Sequence, residues 1–289
     1  MKAEAALMSA NAKSLLVTFI GTTPNIGTTT AAFAASYRLA EMLREPVGYL
    51  CLNLKSAKLH RYLRVDKPAV TLDRLRPELQ SSAMTPAVLR QAMYRLAAQP
   101  NLNVLFGSLM RDQAEFYTPA EVDNLLRAAR EMFRITVADV GAYWDNAATV
   151  AAVRSADTRI LTTTGALSHF QEDGRRWIGQ LSPLFGVPSG DYELLLIHPP
   201  WKNGGYAMKD VRKELELPAI GELKLTEPLL SGLDSGRLEE WLRDNEQGKR
   251  AMKPAAEGIL RRYGMLRPPD MRVQPWYRRL AAYREGAKR

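Results

Sequence analysis

Cysteine is almost missing from these 289 residues: Cys51 is the single one, so no internal disulfide can form. It falls within the apolar run Val47-Gly-Tyr-Leu-Cys-Leu52 and reads as a buried core thiol rather than a nucleophile. Histidine is scarce too, with three residues scattered at positions 60, 169 and 198, and this set indicates no transition-metal site. No apolar run approaches the roughly 18 residues that a membrane span requires. The opening Met-Lys-Ala-Glu lacks the charge, apolar stretch and cleavage site of a signal peptide, so a soluble protein in a reducing cytoplasm is expected. Internal repeats are absent. What is present is ordinary globular material, 46% apolar and 25% charged, long enough to bury a sizeable core in one or two domains.

The net charge of +9 is unevenly distributed. The stretch from Lys249 to Arg289 holds twelve Lys/Arg against three Asp/Glu and accounts for the whole excess, which leaves a neutral body. The tail is therefore the candidate for contact with an acidic surface.

Ser14-Leu-Leu-Val-Thr-Phe-Ile20 is a short, partly β-branched apolar run that predicts a buried strand ending at Gly21. From Thr28 to Leu43, residues Ala32, Ala35, Leu39, Met42 and Leu43 recur on one helical face. Strand, loop and helix form the opening unit of a βαβ fold. Five further strands are predicted at 47–54, 103–106, 135–140, 158–162 and 192–197, with helices at 86–98, 119–133, 146–155 and 168–181. Thr118, Pro119 and Glu121 give the second of these a capping box, and Thr85-Pro86 shows the same Thr-Pro start in the first. The fold class expected is α/β: a doubly wound, mostly parallel sheet with helices on both faces. A boundary near Gly264 is expected to separate this domain, residues 1–264, from a helical basic C-terminal arm, residues 265–289.

The stretch GTTPNIGTTT, Gly21 to Thr30, occupies the place of a phosphate-binding loop, G-x-x-x-x-G-K-[ST]. Thr28 stands where such a loop has its lysine. Pro24 has no N–H to offer an anion and biases Thr23 towards extended backbone, whereas Asn25 tolerates positive φ. Gly27 and the helix start at Thr28–Thr30 remain, and the positive end of the helix dipole suits a weakly held phosphate; the threonines also fit as N-cap residues.

Four stretches resemble the ParA/MinD family of deviant-Walker P-loop ATPases, and within it the CpaE/TadZ branch found with Tad/Flp-type pilus systems. Thr23-Pro-Asn-Ile-Gly-Thr-Thr-Thr30 aligns with the family's K-G-G-x-G-K-T-T; Gly48 to Lys55 stands where the family has a strand ending in D-x-D, with Asn53 and Lys55 replacing the acids. Arg134 to Asp145 resembles the strand that ends in a metal-supporting Asp, here Asp139, and Ala207 to Leu223 resembles the family's helix followed by L-P-x-x-G-x-[IL], before Leu233-Asp-Ser-Gly236. The resemblance implies an ATP site at Asn25, Ile26, Gly27, Thr28, Thr29 and Thr30, with His198 where the family places an adenine-reading Asn. It implies magnesium at Thr29 and Asp139 only if Mg-nucleotide binds, and Asp139 as a vestigial catalytic candidate. Loss of the two family lysines, at Thr23 and Thr28, weakens nucleotide binding by roughly ten- to a hundred-fold each, at about 1.5–3 kcal/mol per charge-assisted hydrogen bond. Hydrolysis suffers more, because stabilising developing charge is the task of such groups.

The expectation is a catalytically degenerate positioning or assembly scaffold, with no hydrolysis, and with residual nucleotide binding an open alternative. Its expected partners are proteins of a Tad-type pilus or secretion apparatus and a second copy of itself. One rival is a working ATPase that recruits Lys55 or Lys58; another is a DNA-partitioning protein. The arm, with Trp276, Leu280 and Tyr283 on one helical face beside Arg278 and Arg279, suits docking on its own body, a partner or an anionic membrane surface. Nucleic acid is the less favoured partner, since no helix-turn-helix accompanies the basic residues.

Overall fold

The computed structural model describes residues 14–43, 45–200 and 205–266. The basic arm therefore lies outside the described residues, apart from Met265 and Leu266. An eight-stranded sheet forms the centre: β1 (Leu15–Gly21), β2 (Val47–Cys51), β3 (Tyr94–Arg95), β4 (Leu102–Leu105), β5 (Ile135–Asp139), β6 (Thr158–Thr164), β7 (Tyr192–His198) and β8 (Ala219–Lys224). Their spatial order is β3-β4-β2-β5-β1-β6-β7-β8, and every pairing is parallel except β3 with β4. The expected doubly wound architecture is present.

Alternation along each strand divides the core in two. Val17 and Phe19 of β1, Tyr49 of β2 and Val137 of β5 point to one face, under α1 (Thr28–Leu43) and the C-terminal helices. Leu16, Ile20, Leu50 and Ala138 point to the other, under α2 (Pro86–Ala92), α3 (Pro119–Met132), α4 (Ala147–Ser155) and α5 (Met208–Leu215). The first face is completed by α6 (Glu227–Asp234), α7 (Leu238–Asp244), α8 (Glu246–Arg250) and α9 (Lys253–Arg262). The Thr118–Glu121 capping box is formed, and Thr85 accepts the N–H of Val88 as an N-cap.

Several elements differ from the sequence-based expectations. The strand expected to run to residue 54 ends at Cys51. The helix expected over 86–98 stops at Ala92, because Tyr94 and Arg95 pair with β4 and the Tyr94 ring packs 5.2 Å from Phe106. The helix expected over 168–181 is wound as two π-helical segments, Ser168–Gly174 and Arg176–Leu181. The eighth strand, β8, was not expected at all. Finally, α1 is buried nearly all round instead of on one face, since α7 to α9 roof its outer side. Roofing buries Arg38, 3% exposed, whose guanidinium donates to Leu242 O (2.5 Å) and Gly248 O (2.8 Å) and pairs with Glu41.

Candidate functional site

β1 sits between β5 and β6, so the chain leaves it to one side of the sheet and later returns to the other. The crevice at the carboxyl end of such a strand is where doubly wound sheets bind ligands. The loop of residues 22–27 fills that position. Asn25 takes φ +62°, as its tolerance of left-handed backbone predicts, and Gly27 takes φ +107°, which a side chain rarely adopts. The first intrahelical bond of α1 runs from Ala31 N–H to Gly27 O at 3.0 Å. Three first-turn N–H groups, of Thr28, Thr29 and Thr30, are therefore left without intrahelical partners at the loop's mouth.

The threonine side chains do not join them there. Thr162 Oγ1 donates its only proton to Ile20 O at 3.0 Å, so in the 2.7 Å contact between Thr28 and Thr162 the donor is Thr28. Thr28 is thus buried, with its hydroxyl bonded to the sheet at Thr162. Thr29 Oγ1 donates to Asp139 Oδ2 at 2.7 Å, and Thr23 Oγ1 donates to Asp173 Oδ2 at 2.8 Å. The incoming carbonyls are held as well: Trp177 Nε1 donates to Thr22 O at 2.6 Å and Trp144 Nε1 to Gly21 O at 3.3 Å. The two indoles stack on each other, centroids 5.5 Å apart and planes 7° from parallel. The loop is consequently tied to the body by its own side chains.

Asp139 ends β5 and is fully buried. Its carboxylate accepts from Thr29, from Tyr49 Oη at 2.9 Å and from Gly141 N–H at 3.1 Å. Burial pushes this carboxyl above its ordinary 3.8, against the three hydrogen bonds that pull it down. A raised acid costs stability once the pH exceeds its unfolded value, and the cost is complete above the folded one. Asp139→Asn should therefore match or exceed the parent's stability at pH 7, with the gap closing as the pH falls towards 3.8 and absent below it. Equilibrium urea unfolding at pH 3 and pH 7 measures this, and a variant less stable at pH 7 would show that the hydrogen bonds outweigh desolvation.

Between the loop and the segment after β2 lies a cleft of about 360 Å³, lined by Thr23 to Asn25, Gly27 to Thr30, Asn53 and Lys58. That is at the small end of ordinary small-molecule sites, about 300–1,000 Å³. Among the described residues, Lys58 is the one charged group in its lining. Lys55, the other lysine considered from sequence, is committed elsewhere: it pairs with Asp145 at 2.5 Å and lies 5.6 Å from the Tyr143 ring centroid. Asn53 Oδ1 accepts the Ser56 N–H at 3.0 Å and so shapes the turn after β2.

His198 does not reach the cleft. Its Nε2 lies 2.8 Å from Glu222 on β8, at the sheet's exposed edge. His169 replaces it beside the loop, where Nδ1 bonds Thr164 Oγ1 at 2.8 Å in a cavity of about 250 Å³ also lined by Pro24 to Ile26. The structure thus brings Asn25, Gly27, Thr28, Thr29, Thr30 and Asp139 together, puts Ile26 on the neighbouring cavity, and leaves His198 outside. Sequence reasoning missed Asp173, Trp144 and Trp177. Their contacts span 123 to 155 residues along the chain, and no local pattern announces them.

The donors present can seat an anion, the loop supplies no lysine, and Thr29 Oγ1 donates its proton to Asp139 while keeping its lone pairs. Among the described residues no group of three or more His, Cys, Asp or Glu is placed to hold a metal ion. No described helix is long and apolar enough to cross a membrane.

No protein-family model and no curated protein matches the chain. Solved structures do. The ParA family ATPase of Chlorobium tepidum superposes with a TM-score of 0.71 at 16% identity, covering 84% of this chain and 99% of that one. The septum site-determining protein MinD of Pyrococcus horikoshii, complexed with Mg-ADP, gives 0.71 at 16% identity, over 89% and 100% of the two chains. The MinC:MinD cell division complex of Aquifex aeolicus gives 0.66 at 15% identity, over 86% and 97%. The chain has the fold of ParA- and MinD-type ATPases.

Proposed function

We propose that this chain is a ParA/MinD-like protein released from nucleotide hydrolysis, acting as a positioning or assembly scaffold, in the manner of the CpaE/TadZ branch of pilus systems. One observation carries the reading: Thr28, at the position of the phosphate-gripping lysine, is buried and donates its proton into the sheet at Thr162. The rest of the loop is consistent with it. Thr23 is held by an aspartate, Pro24 offers no N–H, and Asn53 stands where an acid would serve the attacking water. What remains is a seat for a weakly held phosphate at the first turn of α1, with Thr29 and Asp139 as residual magnesium candidates.

A scaffold of this kind works through its surfaces. MinD of Aquifex aeolicus is found with a partner protein, MinC, and by analogy this chain pairs with a second copy and with proteins of a pilus or secretion machine. The basic arm supplies a further contact, to an anionic membrane surface or to protein. Incubated with ATP and magnesium, the full chain is expected to give no turnover above background. Robust turnover that disappears in Asp139→Ala would overturn the reading. A second reading, an ATPase that recruits a lysine from outside its loop, is favoured by the place of Lys58 in the cleft wall; it requires turnover that falls in Lys58→Ala.

A further inference from the structure

The cleft beside the loop carries more donors than the loop alone supplies, and among the described residues its lining holds no carboxylate. Asn53 is 6% exposed and its Oδ1 is taken by the Ser56 N–H at 3.0 Å, so the part of this amide left for the cleft is Nδ2, which has no acceptor among the described residues. Gly141 makes that position possible: it takes φ +68°, and a Cβ on it would stand 2.6 Å from Asn53 Cγ and Nδ2. Thr30, 3% exposed, lines the same space, and its hydroxyl too is without a partner among the described residues. Polar side chains this deeply buried are ordinarily hydrogen-bonded, so two unused donors opening on one cavity call for a ligand that accepts.

Charge and shape narrow that ligand. The free first-turn N–H groups of α1 bring about half a positive charge, and Lys58, which has no ion-pair partner among the described residues, brings one more. A phosphomonoester carries about −1.5 to −2 at pH 7, which this set largely offsets without a metal. A triphosphate carries more, and Asp139, the magnesium candidate, stands outside the lining with its carboxylate accepting from Thr29, Tyr49 and Gly141. Part of the remaining wall is apolar, formed by Leu225, Leu230 and Leu233. Leu225 packs against the loop, its Cδ atoms 3.2 Å from where a Cβ on Gly27 would stand, so the apolar wall begins beside the anion seat. At about 360 Å³ the cleft has room for a small organic group next to a phosphate.

We infer that this cleft binds a small phosphomonoester without magnesium, its phosphate held by the first-turn N–H groups, Asn53 Nδ2 and Lys58, and its apolar part laid on Leu225, Leu230 and Leu233. The inference rests on the reading of the cleft as released from hydrolysis. It gives Asn53 a positive role: a carboxylate at this place repels an anion unless a metal stands between them, whereas an amide donates to it directly.

Calorimetric titration of the full chain with phenyl phosphate and inorganic phosphate tests it. In EDTA, phenyl phosphate should bind about tenfold or more tightly than inorganic phosphate, and added magnesium should change its affinity by less than about twofold. Lys58→Ala should weaken it about ten- to a hundred-fold. Asn53→Asp keeps the oxygen that receives the Ser56 N–H, so the turn after β2 stands, yet it should bind phenyl phosphate about tenfold or more weakly in EDTA. Unchanged affinity in Asn53→Asp would leave the amide a purely structural role and overturn the inference, as would a parent that binds neither probe or binds the two equally. Magnesium-dependent binding of ATP, tighter than that of phenyl phosphate but without turnover, also overturns it while the scaffold reading stands; turnover of ATP removes both.

Discussion

Arg38→Met is expected to destabilise the protein by about 3–5 kcal/mol, measured as a lower midpoint in equilibrium chemical denaturation. The guanidinium is buried in the middle of α1 and bonds carbonyls at two places in the roof: Leu242 O in α7 and Gly248 O in α8, with a longer contact to Ala251 O at 3.4 Å. These are carbonyls at the ends of short helices, where intrahelical donors run out. Methionine fills a similar volume but donates nothing, so Leu242 O loses its donor, Gly248 O keeps only the Ala251 N–H at 3.0 Å, and Glu41 loses its cation. Lysine keeps the charge as a compact point but cannot fork between two carbonyls, so Arg38→Lys should lose a good part of the same stability. A loss below about 1 kcal/mol in the methionine variant would mean that water reaches these oxygens.

The second large effect concerns the loop. Thr28→Lys is expected to raise the affinity for ATP about ten- to a hundred-fold, read by isothermal titration calorimetry, on the scale of one charge-assisted hydrogen bond of about 1.5–3 kcal/mol. The substitution gives up the Thr28–Thr162 bond, which costs about 0.5–1.5 kcal/mol of stability. A lysine at the first position of α1 has stem enough to leave the sheet and bring its ammonium to the cleft, towards the N–H groups of the first turn. Turnover should not return with binding, because Asn53 and Thr23 are unchanged. Unaltered affinity would place the defect in the loop backbone around Pro24 instead of in the missing charge.

What the sequence disclosed and what it withheld divide along chain distance. The capping box at Thr118 and Glu121, the positive φ of Asn25 and the strand–loop–helix order of residues 15–43 depend on neighbours a few positions apart, and each is present in the structure. β8 escaped notice because Ala219–Lys224 is a mostly exposed edge strand with little apolar alternation, held by pairing to β7. β3 was hidden inside an apolar run that continues a helix by pattern and becomes strand only where β4 offers an edge. Helical periodicity located residues 168–181 but not their wider winding, which apolar spacing over so short a stretch does not distinguish. At the site, the missing lysines could be read directly, whereas the orientation of Thr28 required Thr162, 134 positions away. His198 was misplaced for the same reason: its position at the end of β7 was legible, its partner Glu222 on the next strand was not.

The near-parallel stack of Trp144 and Trp177 also gives this protein an optical signature of its own loop. Two indoles 5.5 Å apart couple their electronic transitions, and each is anchored by its N–H to a carbonyl at the start of that loop. An event that shifts residues 21–22, such as an anion seating at the helix end or a partner binding, moves the carbonyls that anchor both rings. The near-ultraviolet circular dichroism of the unlabelled chain therefore carries a contribution from the state of GTTPNIGTTT, which Trp144→Phe or Trp177→Phe isolates by difference, with no nucleotide turnover to watch.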